Sequence, residues 1–175
     1  PNPAPPPAPP ALPSLTCKPF IISGYTEKVS YGPGENIRVY FQSNEATDLC
    51  RLTMFSITGD SVYSTASLLP LAPDIPEDAS ENGFDLPVGV EFHAPALTSG
   101  IYLIEKRIPV IIKTEDYVDV VVVYPSNTAN AYAESGGKSL YSQVDRPAKV
   151  SFQRPIPLAL LSEVCLKWFS QLPGL

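Results

Sequence analysis

One histidine, His93, in 175 residues is too few for a polyhistidine metal site, and no CxxC spacing offers a thiolate alternative. Basic residues are also scarce. Twelve Lys and Arg stand against 18 Asp and Glu, giving a net charge of −6 and a pI near 4.7. Such a chain lacks the basic face that a phosphate backbone requires, which excludes non-specific nucleic-acid binding. Long apolar runs are missing too: residues 118–124 fall far short of the ~20 needed to span a bilayer, so no transmembrane segment is expected. Ser126 and Ser139 lack a GxSxG elbow, which argues against a serine hydrolase. Gly136-Gly137 has neither a GxGxxG nor a GxxxxGK[ST] pattern around it and reads as a turn. Of three cysteines, Cys17 and Cys50 are candidates for a disulfide, while Cys165 sits on an apolar helical stripe as a small buried hydrophobe.

What the chain has in excess is proline, 21 residues, and they are unevenly placed. Residues 1–19 hold nine of them with almost no charge, so this stretch should be an extended polyproline-type tether without a core of its own. The chain starts at Pro1 rather than Met, which suggests processing and a secreted or cell-surface location. Residues 20–115 read as short strands. Ile37, Val39 and Phe41 alternate with Arg38, Tyr40 and Gln42 after the turn Gly32-Pro33-Gly34-Glu35, and Cys50, Leu52 and Met54 alternate likewise. Two more strands are expected over 88–92 and 100–105, and the polar, proline-broken stretch 70–87 is expected to be a surface loop. The fold class is therefore mainly β, an antiparallel immunoglobulin-like β-sandwich.

Residues 116–175 change regime. The valine-rich run 118–124 does not alternate, so it reads as a strand buried on both faces. A polar loop bearing Asn127, Thr128, Tyr132, Lys138 and Tyr141 follows, then a short strand or extended return over 149–153 and an amphipathic helix over 157–172. Strand, loop and helix make the opening of an α/β unit whose exposed edge and apolar face call for a partner. That partner would be a second copy in a homo-oligomer or a further chain completing the unit.

Several ordered motifs resemble the large (beta) subunit family of N,N-dimethylformamidase. Gly24-Tyr25-Thr26-Glu27-Lys28 and Tyr31-Gly32-Pro33-Gly34-Glu35 resemble the opening of that family's sandwich, and Ser99-Gly100-Ile101-Tyr102 its last strand. Asn127-Thr128-Ala129-Asn130-Ala131-Tyr132, Gly136-Gly137-Lys138-Ser139-Leu140-Tyr141, Val150-Ser151-Phe152 and Arg154-Pro155 resemble the start of its catalytic domain. The resemblance implies an immunoglobulin-like sandwich joined to an α/β domain, and a mononuclear Fe(III) held by two tyrosines and a glutamate that hydrolyses a small amide. Tyr132 and Tyr141 fall at the two tyrosine positions, with Asn127, Thr128 and Lys138 as site-lining candidates. The glutamate has no counterpart: Glu134 is too close to Tyr132, and Glu163 lies on the polar side of the terminal helix. Ala129 stands where the family has tryptophan. The expected function is a fragment or short relative of an iron-dependent amidohydrolase that is not competent alone. The alternative is an extracellular assembly subunit that self-associates through its incomplete α/β unit.

Overall fold

The computed structural model describes residues 17–44, 49–114 and 124–157. In chain order its elements are β1 (Ile22–Thr26), β2 (Ser30–Tyr31), β3 (Asn36–Ser43), β4 (Leu49–Ser56) and β5 (Ser61–Leu68). They continue with α1 (Ala79–Asn82), β6 (Val88–His93), β7 (Gly100–Ile104), β8 (Ile108–Ile112) and α2 (Ser126–Tyr132). The protein is mainly β. One sheet has the order β1-β3-β6 and the other β2-β8-β7-β4-β5.

Period-two patterning accounts for both sheets. In β3 the even-spaced Ile37, Val39 and Phe41 are fully buried while Arg38 and Tyr40 face outward. In β4, Cys50, Leu52 and Met54 point inward. These two sets meet Tyr31, Ile104, Ile108, Val110 and Ile112 in a single hydrophobic cluster fed by both sheets. Phe41 fixes the spacing at the centre. A Cβ on Gly89 of β6 would lie 2.1 Å from its ring, so only glycine fits there.

The expected strands over 37–42, 50–54, 88–92 and 100–105 are present as β3, β4, β6 and β7, and the turn before β3 is closed by Glu35 N–H donating to Gly32 O at 3.2 Å. Four expectations need correction. The pairing is not wholly antiparallel, because the two-residue β2 lies parallel to β8. Residues 70–87 are not merely a surface loop: α1 and its flanks bury Ala79, Phe84 and Leu86 against Tyr25, with Tyr40 alongside, in a second small cluster. Apolar residues spaced through a polar stretch were enough to anchor it. No strand forms over 149–153; those residues bend, and their backbone bonds go instead to Ser80 and Phe84. Cys17 remains a thiol packed against the cluster that contains Cys50, so the expected disulfide is not formed. The valine-rich run (up to residue 123), nearly all of the terminal helix, Cys165 and most of the proline tether lie outside the described residues.

Candidate functional site

Pro125 starts α2, and Ala129 N–H donates to its carbonyl at 2.9 Å. The sequence SNTANAY is a poor helix former, so packing rather than propensity maintains this element. Ala129, Asn130 and Ala133 face inward, whereas Asn127, Thr128 and Tyr132 are exposed. The expected polar loop is therefore a short helix with a buried face, and Asn127 and Thr128 belong to its first turns.

At Ala133 the backbone becomes extended, and Gly136 and Gly137 then take φ of 81° and 88°. That left-handed pair folds the chain back on the helix, where Leu140 N–H donates to Ala131 O at 3.0 Å. The return places Tyr141 beside Tyr132. Their rings stack with centroids 4.0 Å apart and planes 8° from parallel, and both remain about half exposed, at 52% and 47%. The adjacent Tyr141 phenol, through hydrogen bonding and its field, raises Tyr132 above the ordinary phenol range. Tyr141 is further fixed by its own N–H donating to Ser139 Oγ at 3.2 Å.

Lys138 faces Asp145 at 2.5 Å, and this partner raises its ammonium pKa above the ordinary value. It is thus an ion-paired lysine rather than a solvated one. Arg154 bonds to neutral oxygens instead of a carboxylate. Fully buried, it donates through Nε to Asn130 Oδ1 at 3.1 Å and through Nη1 to Ser135 O and Lys138 O at 3.1 and 3.0 Å. Its Nη2 donates to Asn130 O. Burial pulls its pKa below the ordinary arginine value. Neither Arg154 nor the buried Asn130 stood out as a site residue; the only sequence signal is an Arg-Pro step in a stretch with few charges.

A cavity of about 370 Å³ opens beside this segment, lined among others by Tyr25, Val29, Tyr124, Asn127, Phe152 and Ile156. Asn127 reaches it, but Tyr132 and Tyr141 do not line it. The tyrosine pair and the cavity are thus separate features of one segment. His93 ends β6 in an exposed position beside Glu91, away from both. Among the described residues no group of three or more His, Cys, Asp or Glu side chains is placed to hold a metal ion. No described helix is long and apolar enough to cross a membrane. Comparison with protein-family models, with curated proteins and with solved structures finds no match.

Proposed function

We propose that the 124–157 segment carries two donors of a ferric site, Tyr132 and Tyr141, in a protein derived from an iron-dependent amidohydrolase of the dimethylformamidase kind. One observation supports this reading most directly: residues nine apart in sequence have their phenol rings stacked with centroids 4.0 Å apart at an exposed position. An isolated structural tyrosine needs only a backbone acceptor. Two phenols held side by side form a compact pair of hard oxygen donors, the chemistry that suits ferric iron. Side by side they resist double ionisation, since two like charges repel, and a trivalent cation between them removes that penalty. The donor set fits as far as it goes. It is incomplete among the described residues, so the reading includes a further donor from elsewhere and does not make these residues a competent catalyst.

A bound ferric ion would supply Lewis-acid polarisation of an amide carbonyl. The chain's own contribution is orientation. Ser139 holds the Tyr141 backbone, the Gly136-Gly137 turn sets the return, and the Lys138–Asp145 pair closes the next turn. Titration with a ferric chelate while recording the visible spectrum tests the reading. A tyrosinate-to-iron charge-transfer band is expected, lost in both Tyr132→Phe and Tyr141→Phe. Absence of the band at saturating ferric ion in the full chain would rule the site out.

A further inference from the structure

Arg154 is a buried cation with no described carboxylate paired to it, and every acceptor it uses is a neutral oxygen. An uncompensated buried charge is costly, so its retention calls for a structural return that a neutral residue could not give. The four bonds identify that return. They end on Asn130, Ser135 and Lys138, three points that bracket the turn between Tyr132 and Tyr141. Asn130 O lies in the last turn of α2, where it also accepts Ala133 N–H at 3.2 Å and where the helix end favours a cation. Ser135 O and Lys138 O flank the Gly136-Gly137 reversal, whose two glycines take positive φ and which Gly137 N–H closes by donating to Glu134 O at 2.8 Å. A planar fork of fixed donors can satisfy all three points at once, which an ammonium cannot. The site is locked from behind as well, since Ser135 Oγ donates to Pro155 O next to the arginine.

We propose that Arg154 is the positioning residue that sets the separation of Tyr132 and Tyr141. It touches neither ring; it acts by holding the carbonyls on both sides of the turn. Its consequence for metal binding rests on the ferric-site reading, but the assignment itself does not.

The test uses the full chain and photo-oxidative tyrosine cross-linking by a ruthenium sensitiser with persulfate, with cross-linked peptides identified by mass spectrometry. The native protein should yield a Tyr132–Tyr141 dityrosine, absent in Tyr141→Phe. Arg154→Lys keeps the positive charge and loses the fork, so the yield should fall severalfold while the β circular dichroism and the thermal midpoint of the sheets persist. An unchanged yield in Arg154→Lys would overturn the proposal. If that variant fails to fold, Asn130→Ala, which removes one acceptor, decides: partial loss of the cross-link supports the assignment and an unchanged yield refutes it. Ferric titration of the same proteins separates the two readings. Cross-linking without a charge-transfer band would end the metal site and leave Arg154 in place, whereas a band of native affinity in Arg154→Lys would remove Arg154.

Discussion

At the residue scale, a buried charge and a half-buried one are handled in opposite ways. Arg154 spreads its charge over four neutral acceptors, whereas Glu105 concentrates its charge on one bond. Glu105 and Lys106 form the turn from β7 to β8 with φ of 49° and 55°, and the Glu105 carboxylate accepts Thr53 N–H at 2.5 Å from within β4. Burial raises its pKa above the usual carboxylate value, with the Thr53 bond acting in the opposite direction. Because the folded pKa is the higher one, the folded chain holds this proton more tightly than the unfolded chain. Its contribution to stability is full below the unfolded pKa and is lost as pH rises through the folded one. Glu105→Gln keeps an oxygen for Thr53 and has no charge to desolvate. The urea midpoint of the native chain should therefore fall relative to Glu105→Gln as pH rises from about 4 to 7, above the ~4.3 of an ordinary glutamate. A gap that stays constant, or narrows with rising pH, would contradict the role assigned to burial.

At the element scale, the return after α2 depends on Gly136. It takes φ of 81°, and a Cβ there would lie 2.6 Å from Ser80 N in α1. Gly136→Ala combines backbone strain with a clash against main chain, which should cost about 1–3 kcal/mol. Hydrogen exchange would locate that loss, with protection falling at Leu140, whose N–H bonds to Ala131, and staying intact in β3 and β4. Loss spread evenly over the sheets would show that Gly136 supports the whole fold instead.

The same elements explain what could be read from sequence. In β3 and β4 one face is core and one is solvent, so the alternation survives in the residue order. The edge strand β5 was harder to place because its run SVYSTASL is half-buried nearly throughout. In β1, Gly24 stands where a side chain would strike Tyr40 O, which interrupts the apolar pattern. The helix α2 was hidden because its seven residues favour turns, and its burial comes from distant contacts. Within the candidate site, the tyrosines were singled out only through motifs that resemble a known family; no periodicity marks them. Arg154 was illegible for a plainer reason. Its acceptors lie between 16 and 24 residues away, and they are mostly backbone carbonyls that every residue type possesses.

At the scale of the whole molecule, among the described residues both hydrophobic clusters draw only on those before Thr114, and the 124–157 segment contributes to neither. It attaches to the rim. Ser151 N–H donates to Ser80 O at 3.0 Å, Phe84 N–H to Gln153 O at 2.9 Å, and Lys149 Nζ to Asn82 Oδ1 at 2.9 Å. Three such bonds at about 1 kcal/mol each are worth only a fraction of what a two-sheet core provides. A chain ending at Thr114 should therefore keep the β circular dichroism of the full chain and still unfold cooperatively in urea. It should lose no more than about 3 kcal/mol, the net worth of the three bonds. A truncated chain with no cooperative transition would show that the segment completes the core rather than resting on it. The expected outcome has a direct use for the site. If the sheets stand without the segment, then substitutions at Tyr132, Tyr141 or Arg154 change local geometry on an intact scaffold, and a lost ferric band or a lost cross-link reports on the tyrosine pair rather than on unfolding.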